Sequence, residues 1–213
     1  MYDAWSQAGG PKPEVMAGHS LGEYSALTAA GTFSLEDAVR LVRIRASAMQ
    51  DAVPVGTGGM AAILGLDDET VLAVCSEAST DTIVEAVNFN APAQVVIAGH
   101  KDAVQRACDL AKAKGAKRAL LLPVSAPFHS RLLEPAAAVL QQALSELTLN
   151  MPGAEVINNV DVAVADSTQA IADALVRQAW HPVRWVETVR AMKARGVTHV
   201  VECGPGKVLA GLI

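Results

Sequence analysis

Five residues, Gly18-His19-Ser20-Leu21-Gly22, constrain this chain more than any other stretch of it. A short apolar run, Val15-Met16-Ala17, precedes them, and EYSALTAA at 23–30, closed by Gly31, follows. The apolar run reads as a buried parallel strand and the following segment as a helix, so the serine sits on a sharp strand-to-helix turn. That is the context in which G-x-S-x-G forms a nucleophile elbow. Glycine has no Cβ and lets the backbone reverse tightly, leaving the Ser20 hydroxyl at the helix N-terminus. There the unpaired amide N–H groups and the positive end of the helix dipole favour an oxyanion. The pattern alone also fits an ordinary glycine-flanked turn; the strand and helix around it point to a nucleophile.

Composition narrows the fold class. Hydrophobic residues make up 51% of the 213 and aromatic ones only 4%, so the core must be aliphatic and alanine-rich, as in α/β proteins whose helices pack on a sheet. A net charge of −5 argues against nucleic acid as a partner. No apolar run approaches the roughly 18 residues that cross a bilayer, so no membrane association is expected. The first ten residues, MYDAWSQAGG, show neither a basic nor an apolar leader region. Cys75, Cys108 and Cys203 form no C-x-x-C pair and no even framework, which points to the cytoplasm and to neither zinc nor disulfides. No cofactor is expected.

Hydrophobic periodicity then alternates between helix and strand. A helix is expected over 35–50, with Ser34 as N-cap and Asp37 in the first turn. Gly56-Thr57-Gly58-Gly59 breaks the pattern. Strand 60–64, helix 68–79, strands 83–89 and 94–98, helix 101–114 and strand 118–122 follow, in the βαββαβ order of a split-βαβ, ferredoxin-like unit. Helix 133–147, strand 155–158, helices 168–179 and 186–195, and strand 199–203 resume the α/β pattern. The expected architecture is a large lobe of 1–56 and 124–213 with a small lobe, 57–123, inserted into it. Gly204-Pro205-Gly206-Lys207 lacks the spacing of a phosphate loop and reads as a turn. Lys112, Lys114, Lys117 and Arg118 make a basic edge on the small lobe.

A nucleophilic serine needs a base. His19 adjoins Ser20, but neighbouring side chains diverge on a sharp turn. His100 begins a helix, His181 precedes a proline and His199 opens a strand. His129, in Ser125-Ala126-Pro127-Phe128-His129-Ser130 where the chain returns from the small lobe, sits where site residues gather. It reads as the base or as a structural loop histidine. No Asp or Glu stands where a triad carboxylate is expected between Ser20 and His129. Either the hydrolase-like reading weakens or a backbone carbonyl orients the imidazole. Arg45 falls on the apolar face of its helix with Leu41, Val42, Ala48 and Met49, whereas Arg40 and Arg43 face outward. An inward guanidinium needs a partner. A substrate carboxylate held by the planar fork, an internal glutamate and a side chain that snorkels to water are all open.

Together GHSLGEYSAL around Ser20, LVRIRASAMQ around Arg45, NFNAPAQVVIAGH at 88–100, LLPVSAPFHS around His129, LVRQAWHPVRW at 175–185 and GPGKVLAGL at 204–212 carry a resemblance over the whole chain. The chain resembles the malonyl-CoA:acyl-carrier-protein transacylases of fatty-acid synthesis and, more distantly, polyketide-synthase acyltransferase domains. The resemblance implies an α/β-hydrolase-like large lobe with a ferredoxin-like insert. It implies Ser20 as nucleophile, His129 as base and Arg45 as the holder of the malonyl carboxylate. It also makes the main-chain carbonyl of Gln178 the acceptor for the imidazole N–H and the amide of Leu21 one oxyanion donor. Malonyl-CoA and acyl carrier protein are the implied partners of a monomeric enzyme. The family's first strand, with its Gly-Gln-Gly motif, and its C-terminal tail have no counterpart here, so this chain is expected to be a fragment and a slow catalyst. A serine esterase or thioesterase, or a weakly active fragment that only binds carrier protein, are the competing readings.

Overall fold

The computed structural model describes all 213 residues. Helix α1 (Tyr2–Gln7) lies on the surface with no buried residue. Strand β1 (Val15–Ala17), helix α2 (Leu21–Ala29) and helix α3 (Leu35–Asp51) follow. The Ser34 Oγ accepts the Asp37 N–H at 3.0 Å, starting α3. Its buried face is Ala38, Leu41, Arg45, Ala48 and Met49. Helix α6 (Pro135–Ser145) packs against α3 and begins with a proline, whose missing N–H has no partner to lose there.

The middle of the chain builds a separate sheet. Strands β2 (Gly58–Leu64), β3 (Val84–Ala91), β4 (Gln94–His100) and β5 (Arg118–Leu121) pair antiparallel in the order β3-β4-β2-β5. Helices α4 (Asp68–Ala78) and α5 (Lys101–Ala113) cover one face. Ile63, Val71, Val74, Ile97 and Val104 fill the core between sheet and helices. A second core lies among α2, α3, α6 and α7 (Thr168–Gln178), with Tyr24, Leu41, Met49, Leu140 and Leu175 at its centre. Strand β6 (Glu155–Ile157) lies parallel to β1, and α8 (Trp185–Ala194) follows α7.

One expected element does not form. Residues 199–203 make no strand, and Val200 and Val201 stay exposed. The only parallel sheet here is the β1–β6 pair, and 199–203 takes no place on it. A β-prone run becomes a strand only where a neighbour accepts its backbone. Glu202 instead accepts the N–H groups of Leu209 (3.2 Å) and Ala210 (2.9 Å).

The turn from β1 into α2 depends on one of its two glycines. A Cβ on Gly18 would lie 1.9 Å from the carbonyl carbon of Gly22, whereas a Cβ on Gly22 would meet nothing within 4 Å. Backbone cannot step aside as a flexible side chain can. Gly18→Ala should therefore destabilise the fold by about 3 kcal/mol, at the upper end of overpacking costs. Gly22→Ala should change it by no more than about 1 kcal/mol, because alanine is the better helix former. Urea unfolding of the two variants checks this; equal losses would show that the close approach at Gly18 is not what shapes the turn.

Candidate active site

A parallel strand pair brings two distant segments together. Ala17 of β1 stands opposite Ile157 of β6, so the residues just past their carboxyl ends, Ser20 and Asn159, meet in the crevice where α/β sheets place their sites. Asn159 Oδ1 accepts the Ser20 N–H at 2.7 Å, and its Nδ2 donates to the Gly18 carbonyl at 2.8 Å. Ser20 adopts φ 53°, ψ −108°. A side-chain-bearing residue held there costs on the order of 1–3 kcal/mol, so the surroundings must impose it. The second restraint comes from Gln178, whose Nε2 donates to the Ser20 carbonyl at 3.0 Å. Both sides of the serine's backbone are thereby clamped.

His129 faces the serine hydroxyl, with Nε2 2.8 Å from Ser20 Oγ. Its Nδ1 lies 2.8 Å from the Gln178 carbonyl oxygen. A carbonyl only accepts, so Nδ1 carries the proton and Nε2 presents its lone pair to Ser20. That carbonyl is free because Gln178 is the last residue of α7, and the residue four further on, Pro182, has no N–H to offer it. The negative end of the α7 dipole lies at the same place and favours positive charge on the ring. Burial first, and then the Arg45 charge, hold the imidazole down at about 3. It is therefore neutral, and able to accept a proton, at physiological pH. His129 also has a positive φ of 66°.

Arg45 reaches in from α3. Its Nη2 donates to Ser20 Oγ at 2.9 Å and to Gln178 Oε1 at 3.1 Å, and its guanidinium lies 5.4 Å over the Tyr24 ring. The side chain is buried, its Nε has no hydrogen-bond partner, and it joins none of the ion pairs of the chain. The internal glutamate left open by the sequence is thus not a direct partner. A cation 2.9 Å from Oγ favours ionisation of the hydroxyl.

Leu21, the residue after the serine, opens α2, so its N–H is among those without a partner inside the helix. His19 turns the other way, with Nε2 2.8 Å from Asn90 Oδ1 and its ring 5.8 Å from that of Trp185. His100 accepts the Ile83 N–H at 3.1 Å, His181 has Nδ1 3.0 Å from the Arg177 carbonyl, and His199 lies beside Thr198. No group of three or more His, Cys, Asp or Glu is placed to hold a metal ion.

Three participants were missed in the sequence: Glu23, Asn159 and the side chain of Gln178. Glu23 is wholly buried; its Oε2 accepts the Asn159 N–H at 2.9 Å and the Gln178 Nε2–H at 2.8 Å. Burial pushes its carboxyl up to about 7, against the pull of those two bonds and of Arg45. Ser20-x-x-Glu23 has the form of a capping box, in which the glutamate would reach back to the serine N–H. Here Asn159 stands between them, taking the Ser20 N–H with its side chain and giving its own N–H to Glu23.

A serine in a strained strand-to-helix turn, a histidine hydrogen-bonded to it and a guanidinium beside both form one cluster at the start of α2 in an α/β chain. Residues 1–212 match the acyl transferase domain, and the chain belongs to that family. It is 56% identical over 212 residues to the malonyl CoA-acyl carrier protein transacylase of Escherichia coli K12, covering all of this chain and 69% of that protein. The crystal structure of an acyl-carrier-protein S-malonyltransferase from Burkholderia pseudomallei superposes with a TM-score of 0.98 at 65% identity, over 99% of this chain and 69% of that one. A malonyl-transacylase solved in complex with its type II PKS acyl-carrier protein superposes at 0.97 and 52% identity, over 99% of this chain and 68% of the other.

The depressed His129 pKa fixes a sign. Unfolded, its imidazole takes up a proton near pH 6.5; folded, it does so only at about 3. Its contribution to stability is full above pH 6.5 and is lost as pH falls towards 3. Denaturant unfolding from pH 7 to pH 4 should show stability falling more steeply in the native chain than in His129→Gln. The raised carboxyl of Glu23 is common to both chains and cancels in that difference. Parallel pH profiles would contradict a buried neutral imidazole.

Proposed function

We propose that this chain transfers a malonyl group from malonyl-CoA to the phosphopantetheine thiol of an acyl carrier protein, through an ester on Ser20. The observation that carries the reading is Arg45: a buried guanidinium with no carboxylate partner in the chain, 2.9 Å from a candidate nucleophile. A planar cation fits a free carboxylate bidentately, and malonyl-CoA presents such a group two carbons from the reacting thioester. The names of the relatives point the same way. So does the carrier-protein complex of one of them.

In this reading Ser20 Oγ attacks the thioester carbonyl carbon while His129 Nε2 takes the hydroxyl proton. The resulting imidazolium is stabilised through Nδ1 by the Gln178 carbonyl at the end of α7, in place of a triad carboxylate. The Leu21 N–H supplies one donor to the oxyanion. Collapse breaks the C–S bond, the thiolate of CoA recovers the proton from His129, and malonyl-Ser20 remains. The carrier-protein thiol then attacks the ester, His129 takes its proton, and Ser20 Oγ regains one as the C–O bond breaks. Residues 1–56 and 124–213 form an α/β-hydrolase-like lobe around this chemistry, and 57–123 a ferredoxin-like lobe inserted in it. The sheet order β3-β4-β2-β5, in a βαββαβ run, supports that division. The cysteine pattern supports a cytoplasmic setting. No helix is long and apolar enough to cross a membrane.

Intact-mass measurement after mixing with malonyl-CoA should show one malonyl adduct on the chain and none on Ser20→Ala; an adduct that survives the substitution would overturn the assignment. Arg45→Ala should cut malonyl transfer by about 30-fold or more, equivalent to roughly 2 kcal/mol for a charge-assisted pair. Transfer from acetyl-CoA, which lacks the carboxylate, should fall far less. Equal losses on the two thioesters would make Arg45 a structural residue.

A further inference from the structure

One side chain that takes no step in the chemistry is a single hydrogen bond away from the groups that hold every step in place. Glu23 Oε2 accepts from Asn159 N and from Gln178 Nε2. Asn159 holds the Ser20 N–H. Gln178 holds the Ser20 carbonyl with Nε2, Arg45 Nη2 with Oε1, and His129 Nδ1–H with its main-chain oxygen. Resting on the reading of Ser20 as nucleophile, we propose that Glu23 is the positioning residue of this site: its carboxyl oxygen anchors Asn159 and Gln178 so that they pin the strained Ser20 backbone and aim Arg45.

The chemistry of each partner supports a directed arrangement. A side-chain amide can be turned either way, and the wrong orientation of Gln178 would set its NH2 against the Arg45 cation and its oxygen against both the Ser20 carbonyl and the Glu23 carboxylate. The buried acceptor on Glu23 settles that choice. A carboxylate buried for packing alone would be a poor solution, since apolar side chains of similar volume fill a core at less cost. The groups facing Glu23 are Asn159 and Gln178, with Arg45 and Asp161 acting at longer range. Of the charged pair, Arg45 offsets the carboxylate's negative charge.

Two substitutions separate positioning from bulk. Glu23→Gln keeps an acceptor oxygen at the same reach. Glu23→Asp keeps the carboxyl group but withdraws it by one methylene, so the two bonds are no longer made together. Single-turnover acylation of Ser20, followed by mass over a range of malonyl-CoA concentrations, gives a maximum rate and a half-saturating concentration. The Gln variant should acylate within about fivefold of the native rate. The Asp variant should fall about 100-fold, the scale of an ångström of misplacement, with half-saturation changed by less than about threefold.

An uncharged fluorophosphonate supplies a second readout that needs no malonyl recognition. Ser20 Oγ bonds to phosphorus, fluoride leaves, and His129 takes the hydroxyl proton; the same order, native and Gln above Asp, is expected. Native protein that reacts with the phosphonate but not with malonyl-CoA would refute the functional reading while still testing Glu23. Should Glu23→Asp fail to fold, Gln178→Met cuts the same chain of bonds from its other end, keeps the main-chain carbonyl for His129, and should show the same loss of rate. The proposal is overturned if Asp matches the native rate, if Gln loses as much as Asp, if Gln178→Met is unimpaired, or if the losses fall on half-saturation alone.

Discussion

Everything at this site depends on holding one serine in a backbone conformation it would not choose. Ser20 at φ 53°, ψ −108° lifts its hydroxyl out of the turn and towards His129 and Arg45, and left alone the residue would relax by on the order of 1–3 kcal/mol. The restraint is built in two layers. Gly18 allows the turn to close on Gly22, and polar side chains from two other segments, Asn159 after β6 and Gln178 at the end of α7, hold the serine's N–H and carbonyl. Because β1 and β6 are parallel and in register, the clamp at Asn159 follows from sheet geometry rather than from the turn itself.

The His129 imidazole is oriented without a carboxylate. A helix end leaves its last carbonyls unpaired, and Pro182 ensures that the Gln178 carbonyl is not taken by the chain that follows. His129 uses that acceptor and the helix dipole together. The result is a neutral, buried imidazole beside a buried cation, with its Nε2 turned to the Ser20 hydroxyl. Gln178 is the residue on which both arrangements converge, with its main chain turned to His129 and its side chain to the serine, the arginine and Glu23.

Local pattern was enough to read local structure. The apolar run before Ser20, the helix after it and the inward face of α3 that carries Arg45 all follow from spacing within a dozen residues. The strand–helix order of 57–123 was legible for the same reason, since each turn lies between its own neighbours. The run at 199–203 has strand composition but no strand partner, and composition cannot report a neighbour. Glu23, Asn159 and the Gln178 side chain were illegible because their bonds join residues 133 to 158 positions apart. The Gln178 carbonyl was expected only through family resemblance, although a proline four residues past a helix end was a signal available in the sequence.

In the proposed function Arg45 connects this geometry to substrate choice. Its Nη2 donates to Ser20 Oγ and Gln178 Oε1 and its charge has no carboxylate partner, so in the proposed reaction an arriving diacid would find the cation beside Ser20. The most direct test of that account is a crystal structure of the chain trapped as its malonyl-Ser20 ester. It should show the malonyl carboxylate within about 3 Å of both terminal nitrogens of Arg45, with Ser20 still at positive φ and Gln178 still on its carbonyl. A carboxylate turned away from Arg45, or a serine relaxed to negative φ, would contradict it.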